Sequence, residues 1–284
     1  MSNAGNVCSP VPDYKPSYSD EDNVVSTDNL PGINFPEKIL FIVDTVRERT
    51  CTPFKLTTGA SYTPLVMIKR VIQHFVCIKS IIQRSHEYAL MILNSNSAQW
   101  ICDFTSNINS IIDHLNLINE DFPERKEEDQ EQEEVEEERL YDLEQMFDKV
   151  QERLTLPAKK RMPLASTFVV RLILIYSRSN CIPKFLTNDK TILHALAKNP
   201  HFFLDVLYVH EPPTQENLCE EIYSQLAMLD TNNFSYILEV GRYAAKLHDN
   251  MAKLLAHPLQ RPSQSDVCYT MCPSPSSQES YNNV

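Results

Sequence analysis

Apolar residues along the chain form two kinds of segment that alternate. Short, nearly unbroken apolar runs, rich in β-branched and aromatic side chains, predict strands buried on both faces of a parallel sheet. They occupy residues 39–43, 88–93, 168–176 and 202–209. Elsewhere, apolar residues recur every three or four positions and predict helices. These helices fall near residues 68–82, 108–115, 143–154, 192–196, 218–229 and 244–254.

This alternating order predicts how the strands are connected. A strand, a helix and a further strand imply a right-handed crossover, and repeated crossovers place helices on both faces of an open sheet. Residues 97–104 follow the run 88–93 after a short polar link and predict a hairpin with an antiparallel edge strand. Residues 234–240 predict a further edge strand. The expected fold is therefore a doubly wound α/β domain with a mostly parallel sheet of about six strands.

Polar segments set the predicted domain limits. Residues 1–36 and 258–284 are rich in Pro, Ser and Asn without a helical or strand period, and they predict a disordered N-terminal tail and an extended C-terminal tail. Residues 120–139 hold twelve acids and three bases, a charge of −9 within the chain's net −12, so the remainder carries −3. The predicted domain spans residues 37–257, with an acidic insertion at 120–139.

Charge and composition indicate which partners and which cellular compartments are not expected for this protein. A nearly neutral body has no broad basic face for phosphate, so direct nucleic-acid binding is not expected. A secretion signal is not expected either, and no apolar stretch nears the ~18–20 residues that cross a bilayer. The eight cysteines are scattered, several of them in apolar segments such as residues 75–78. This usage is typical of reduced thiols in the cytoplasm or nucleus.

Ligands of doubly wound sheets bind beyond the carboxyl ends of the strands, which here draws attention to Asp44. Loops that cradle phosphate need glycine, and the chain has four glycines, with none between Gly32 and Gly59. A dinucleotide-binding or P-loop function is therefore not expected. A phosphotransferase with an aspartyl nucleophile would need a second carboxylate where Val46 stands.

A divalent-metal site at Asp44 is the open alternative to a structural role. Mg²⁺ needs several converging oxygen ligands, for which Glu48 and Ser177 are further candidates. Arg178 follows Ser177, however, and an arginine beside a divalent cation opposes its binding. The favoured interpretation is a carboxylate that accepts hydrogen bonds from a loop or pairs with Arg47 or Arg178. The alternative is a metal-dependent binding domain or hydrolase centred on Asp44.

The sequence carries no recognisable motif for catalysis. It has none of the usual zinc-binding spacings, and its closest cysteine pair, Cys268 and Cys272, lies in the predicted tail. The Gly-x-Ser-x-Gly elbow of serine hydrolases is also missing. We therefore predict a non-catalytic protein without a cofactor.

Several stretches resemble one known family. They are residues 34–39 (NFPEKI), the strand that leads into Asp44, residues 85–90 (SHEYAL), residues 175–178 (IYSR) and, above all, residues 251–262 (MAKLLAHPLQRP). From about Asn34 to Ser265 the chain is similar to the von Willebrand factor A-like subunit shared by the BRISC deubiquitinase complex and the breast-cancer-susceptibility-protein A complex. Residues 251–262 are the specific part, because a generic α/β domain has no packing reason to end that way.

The resemblance implies a von Willebrand A fold with a degenerate metal site. Metal-binding members of the wider fold end their first strand in Asp-x-Ser-x-Ser, and the aligned positions here are Asp44, Val46 and Glu48. The other aspartate of that fold falls where this chain has Ser177 or Arg178. Both hydroxyl ligands are missing, so the resemblance implies no bound metal.

By the same resemblance the chain is a non-catalytic scaffold subunit. It is expected to bind and stabilise a partner built from ubiquitin-E2-variant domains, and through it a zinc metalloprotease-type deubiquitinase and its pseudoenzyme scaffold. The assembly cleaves a particular polyubiquitin linkage. The implied roles are DNA-damage signalling in the nucleus and receptor or mitotic spindle functions in the cytoplasm, without direct contact to nucleic acid or membrane.

The predicted partner-binding segment follows the last helix. It comprises His257, Pro258, Leu259, Gln260, Arg261 and Pro262. The two prolines hold the backbone extended, which leaves Leu259 as an apolar anchor and Arg261 as a fork-shaped donor. The alternative for this segment is that it folds back over its own domain. A separate hypothesis for the function is a plain adaptor whose acidic run recruits a basic partner.

Overall fold

The computed structural model describes residues 34–122, 140–157, 168–187 and 190–266. Its strands are β1 (Glu37–Asp44), β2 (Phe54–Lys55), β3 (Ser61–Tyr62), β4 (Glu87–Leu93), β5 (Ala98–Thr105), β6 (Leu140–Asp142), β7 (Val169–Tyr176), β8 (Ile182–Lys184), β9 (Phe202–Val209) and β10 (Ile237–Val240). Its helices are α1 (Pro64–Ile82), α2 (Ile108–Leu117), α3 (Leu143–Arg153), α4 (Thr191–Ala197), α5 (Cys219–Ala227) and α6 (Ala244–Lys253). A short 3-10 helix, Gln264–Asp266, ends the described part of the chain.

Six strands form the central sheet, in the order β10-β9-β7-β1-β4-β5. Neighbouring strands are parallel except for β4 and β5, which form an antiparallel hairpin. In the middle of the sheet, Ile39 of β1 lies between Tyr88 of β4 and Arg171 of β7. The predicted fold class, the hairpin and the second edge strand are confirmed.

Helices cover both faces of this sheet and enclose two apolar cores. Helices α1, α2 and α6 pack on one face, and α3, α4 and α5 on the other. Strand β1 serves both cores, because Ile39, Phe41 and Val43 point to the first while Leu40 and Ile42 point to the second. Each of these side chains is fully buried, which contributes about 1.5–3 kcal/mol apiece. This two-sided burial is why β1 is a continuous apolar run.

Polar residues at the helix starts set the helix boundaries. Helix α1 begins at Pro64, whose fixed φ and missing N–H suit the first turn. Asn107 caps α2 and Asp142 caps α3, each with a side-chain oxygen that accepts backbone N–H groups of the first turn. The periodic apolar positions thus indicate where the helices lie, while Pro64, Asn107 and Asp142 mark where α1, α2 and α3 begin.

Two small sheets lie outside the prediction. Strands β2 and β3 form an antiparallel pair of two residues each, and β6 pairs with β8 in parallel. Strands of two or three residues are too short to show a period of two. They form because the surrounding fold brings their backbones together.

Most of the polar segments lie outside the described residues. The predicted N-terminal tail is described only from Asn34 and the acidic insertion only at residues 120–122, while Cys268 and Cys272 fall in the part that is not described. Residues 258–266 are described, and they pack against the domain instead of extending away from it. Among the helices described, none is long and apolar enough to span a bilayer.

Candidate functional site

At the carboxyl end of the sheet, Asp44 lies beside Arg178. Arg178 was one of the two arginines predicted to pair with Asp44, the other being Arg47. Arg178 Nε lies 3.1 Å from Oδ1 and 3.2 Å from Oδ2 of Asp44, and the Ser177 backbone N–H donates to Oδ2 over 3.0 Å. The Asp44 side chain has no solvent exposure. The prediction that Asp44 is a paired, hydrogen-bonded carboxylate is confirmed.

Arg178 is fixed in this position by several contacts. Its Nη2 donates to the Asn94 carbonyl oxygen over 2.7 Å, and its guanidinium carbon lies 4.4 Å from the centre of the Tyr141 ring. Burial opposes the charged form, but Asp44 outweighs this and raises the pKa of Arg178 above its ordinary value. A permanently charged guanidinium therefore contacts the carboxylate that a metal ion would need as a ligand.

Glu48 and Val46, two other predicted positions of the degenerate metal site, also form hydrogen bonds within the protein. The Glu48 carboxylate accepts the backbone N–H groups of Ser179 and Asn180 over 2.7 and 2.8 Å, and burial raises its pKa. Val46 contributes a backbone N–H to Asp44 Oδ1 over 3.3 Å. In the part of the chain that is described, no three His, Cys, Asp or Glu side chains converge as a metal-binding group.

A third carboxylate, which the sequence reading missed, closes the same end of the sheet. Glu211 follows β9 and accepts the Thr52 backbone N–H over 2.8 Å, while Arg242 Nη2 donates to it over 2.5 Å. No local motif marks Glu211, because its partners come from distant loops. The carboxyl ends of the strands are thus occupied by the protein's own ion pairs and hydrogen bonds.

The opposite end of the sheet holds a buried ionic network. Arg171 of β7 joins Glu37 of β1 over 3.1 Å and Asp205 of β9 over 2.7 Å, and Lys79 of α1 lies 2.5 Å from Glu37. These side chains are at most 3% exposed. Charged residues inside apolar strand runs were the available signal, since Arg171 and Asp205 interrupt runs that are otherwise hydrophobic.

The network keeps its two acids ionised. Burial raises the pKa of Glu37, but Arg171 and Lys79 together outweigh it and hold that pKa below its ordinary value. Burial likewise acts on Asp205, where Arg171 and Arg261 lower the pKa. A buried ionised acid without such partners would be strongly destabilising. Each base of the network therefore compensates the charge of the acid that it contacts.

Residues 255–264, which we call the strap, dock on this network. Lys79 Nζ donates to the Leu255 carbonyl oxygen over 2.7 Å, and Arg171 Nη1 donates to that of Ala256 over 3.2 Å. Arg261 Nη1 reaches Asp205 over 3.2 Å, and its side chain is 3% exposed. The strap is thus anchored from within by three cations.

The ring of Tyr236 completes this anchorage. The guanidinium carbon of Arg261 lies 3.9 Å from the ring centre, and Arg261 Nη2 donates to the Phe234 carbonyl oxygen over 2.8 Å. The Tyr236 hydroxyl donates to the Pro262 carbonyl oxygen over 2.8 Å. The segment therefore folds back over its own domain, which was one of the two predicted arrangements.

The six predicted partner-binding residues are divided by this arrangement. His257 and Pro258 are buried, Leu259 and Arg261 are partly covered, and Gln260 and Pro262 are exposed. Arg261 is not a free donor, because its guanidinium is already bonded inside the domain. Partner contact stays a prediction, and the outer side of the strap is the surface left for it.

The strap also covers the free edge of β10. The Gln264 side chain accepts the Ile237 N–H over 2.6 Å and donates to the Ile237 carbonyl oxygen over 2.9 Å, as a neighbouring strand would. Asn250 of α6 donates to the Glu239 carbonyl oxygen over 2.9 Å. Uncovered strand edges invite pairing with other chains, and these side chains oppose it.

Two buried histidines accept hydrogen bonds beside the network. His86 Nδ1 accepts the Glu37 N–H over 2.8 Å, and His257 Nδ1 accepts the Leu259 N–H over 3.2 Å. A proton on either Nδ1 would displace that hydrogen bond. Burial lowers the pKa of each imidazole to about 4, so both are neutral at neutral pH.

Comparisons with known proteins give a consistent set of relatives. The chain is 33% identical over 245 residues to "BRISC and BRCA1-A complex member 1" of Xenopus laevis, a match that spans 85% of this chain and 69% of that protein. The Homo sapiens protein of the same name is 31% identical over 247 residues, with 85% and 70% covered. No protein-family model matches the chain.

Solved structures of similar shape include the VWA domain of SpRpn10, at 9% identity and a TM-score of 0.43, with 78% of this chain and 95% of that chain covered. The conserved hypothetical protein BatB from Bacteroides thetaiotaomicron aligns at 12% identity and a TM-score of 0.47, covering 77% and 97%. The fold class itself follows from the strand order and from the helices on both faces of the sheet.

Proposed function

This chain belongs to the family of BRISC and BRCA1-A complex member 1, and on that premise we propose that it is a non-catalytic scaffold subunit of a deubiquitinase complex. It serves a BRISC-like complex and the A complex of the DNA-damage response. The observation that carries the proposal is the 33% identity with the Xenopus laevis relative across 85% of this chain. A match of that length rests on the whole domain and not on one motif.

The carboxyl ends of the strands support a role without catalysis. In doubly wound folds this is where ligands bind. Here Asp44 is held by Arg178, Glu48 by two backbone N–H groups, and Glu211 by Arg242. Contacts of this kind stabilise loops, and each of these three carboxylates is engaged by a partner of the protein itself instead of being poised as a base or a metal ligand.

The partner we propose is a subunit built from ubiquitin-E2-variant domains. Through it the chain joins a zinc metalloprotease-type deubiquitinase and its pseudoenzyme scaffold, in both cytoplasm and nucleus. The catalytic zinc belongs to that other subunit. The role of this chain is to stabilise its partner and hold the assembly together, and its support is the resemblance of residues 251–262 to the family.

The strap gives this proposal a physical basis. Its inner side is tied to Asp205, Phe234 and Tyr236, so its backbone is already ordered before a partner arrives. A preset segment loses less conformational entropy on docking than a free tail. We therefore assign the partner contact to the outer side of the strap, at Leu259, Gln260 and Pro262, with Arg261 as a positioning residue.

Co-purification tests the proposal. The tagged full chain, expressed in cells of its own source, should recover a ubiquitin-E2-variant-domain subunit and a metalloprotease subunit in stoichiometric amounts. A chain that elutes alone at its monomeric mass would contradict the proposal. Recovery of a different set of partners would contradict it equally.

Substitutions on the strap test the site. The double variant Leu259→Ala and Gln260→Ala should lower recovery of the partner several-fold while the thermal unfolding temperature falls by little, because Gln260 is exposed and Leu259 is only partly covered. Met228→Ala, at a residue 47% exposed after α5 on the opposite face, is the matched control and should retain full recovery. Equal recovery by all variants would remove the assignment of the site.

A further inference from the structure

The last turns of α1 present three isoleucines to solvent. Ile78, Ile81 and Ile82 are 45%, 83% and 63% exposed. Their spacing of three and four residues places them on one face of the helix. Grouped large apolar side chains on a surface mark an interaction site, whereas single ones are common. We call these three residues the α1 patch.

The charge around the α1 patch is opposite to that of the chain as a whole. Residues 49–86 contain six bases and no acid, although the net charge of the chain is −12. Lys79 forms a buried ion pair with Glu37, and Lys69 donates a hydrogen bond to the Asn116 carbonyl oxygen. Arg70 and Arg84 are exposed. Arg70 lies about two turns before the α1 patch on the helix, and Arg84 follows the end of the helix.

A histidine of the neighbouring helix lies beside this surface. His74 lies one turn before Ile78, and its ring centre is 5.5 Å from that of His248 on α6. Burial, His74 and Arg70 all lower the pKa of His248, while Asp249 opposes them without cancelling them. The stripe Arg70, His74, Ile78 and Ile82 thus runs along α1 at four-residue spacing, with a cationic arginine at one end and two isoleucines at the other.

We propose that the α1 patch and its flanking arginines bind an acidic amphipathic helix of a partner subunit. A stripe of this kind along a helix offers ridges into which a second helix can pack. Apolar residues of that helix would cover the isoleucines, and Asp or Glu at its ends would meet Arg70 and Arg84. A phosphate backbone is a poorer fit, because the most exposed side chain, Ile81, has nothing to offer a phosphate. The inference rests on the proposed function, since it assumes that the chain is a complex subunit.

The experiment uses the full chain reconstituted with its co-purified partner subunits. Ile81→Ser with Ile82→Ser should weaken the complex at least tenfold without altering the unfolding temperature, because both side chains are exposed. Arg70→Glu with Arg84→Glu should do the same and should reduce the salt dependence of binding. Leu186→Ser, at a residue 55% exposed on the other face of the domain, is the control and should bind normally.

A photo-crosslinking residue at position 81 identifies what covers the α1 patch. Capture of an acid-rich helical segment of a partner subunit supports the inference. Capture of a second copy of this chain, capture of a basic or strand-forming segment, or full affinity of both double variants overturns it. In the last case the partner is still recovered and the proposed function stands. If the wild-type chain recovers no partner, the inference and the proposed function both fail.

Discussion

Arg171 lies near the start of β7 and Arg178 follows its end, and each pairs with buried carboxylate groups. Arg171 joins Glu37 and Asp205, while Arg178 joins Asp44. Removal of one member from such a cluster leaves an unpaired charge without water, and this costs more than the pair itself contributes. These single residues therefore control the stability of the strands they connect.

The pair of Asp44 and Arg178 allows a direct test. Arg178→Met should lower the free energy of unfolding by about 3–5 kcal/mol, because the Asp44 carboxylate loses its buried partner. The double variant Asp44→Asn with Arg178→Met should be clearly less destabilised than the sum of the two single variants. Urea unfolding at neutral pH measures all three. Additive losses would show that the pair is not coupled.

Asp44 and Arg178 also allow a test of the alternative in which the chain is a metal-dependent binding domain or hydrolase. Calorimetric titration of the wild-type chain with Mg²⁺ or Mn²⁺ should give no saturable heat, because Arg178 occupies the position next to the carboxylate. A saturable heat that Asp44→Asn abolishes would contradict this and favour a metal-dependent binding domain.

His86 and His257 predict a loss of stability in mild acid. Their folded pKa of about 4 lies below the ordinary value of 6.5, so they stabilise the fold above about pH 6.5 and lose that contribution as the pH falls towards 4. Between pH 7 and pH 5.5 the two together should cost about 2–3 kcal/mol. Glu37 and Asp205, whose pKa values are also lowered, add their own loss at more acidic pH.

Denaturant unfolding at several pH values measures this dependence. His86→Gln keeps a side-chain acceptor for the Glu37 N–H but cannot be protonated, so it should flatten the curve between pH 6.5 and 5. His194→Gln, at an exposed position of α4, is the control and should retain the wild-type slope. An unchanged slope in His86→Gln would show that another group governs acid stability.

Among the elements, the strap is the least regular and yet closes one end of the sheet. It has a 3-10 turn and no strand of its own, and its order comes from side chains that reach main-chain groups. Gln264 takes the place of a neighbouring strand beside β10. The edge of the sheet and the strap are therefore expected to open together.

Hydrogen exchange tests this coupling. Arg261→Ala should lower the free energy of unfolding by about 3 kcal/mol and speed exchange in both the strap and β10, because Asp205 loses one of its two cations. Gln264→Ala should cost about 1 kcal/mol and speed exchange mainly at the Ile237 amide. Gln260→Ala, which removes an exposed side-chain hydrogen bond to Asn34, should change both quantities far less than Arg261→Ala. Faster exchange confined to the strap would contradict a joint opening.

The long elements were predictable because each satisfies a periodic pattern over several turns or strand residues. The apolar run 39–43 corresponds to β1, and the observed strand is longer at both ends because Glu37 and Asp44 take part in its ladders. Those two residues are polar and buried. Their burial depends on Arg171 and Arg178, which no local pattern indicates.

For the whole molecule, the net charge of −12 conceals an uneven distribution of charge along the sequence. The acidic run at 120–139 and the base-rich residues 49–86 lie in different parts of the sequence, and Arg70 and Arg84 of the second segment are exposed. A local excess of one charge attracts partners of the opposite charge. The adaptor hypothesis, in which the acidic run recruits a basic partner, stays a prediction, because most of that run lies outside the described residues.

The sequence by itself determined the fold class, and its few glycines argue against a dinucleotide-binding or P-loop function. Apolar periodicity reports directly on how many faces of an element are buried, and a shortage of glycine is visible without coordinates. Only the tertiary structure decided that Asp44 pairs with Arg178 and that Arg261 turns inward to Asp205. These contacts join residues 134 and 56 positions apart. Such distant residues meet only after the sheet has formed, so no local pattern can indicate which charge will neutralise which.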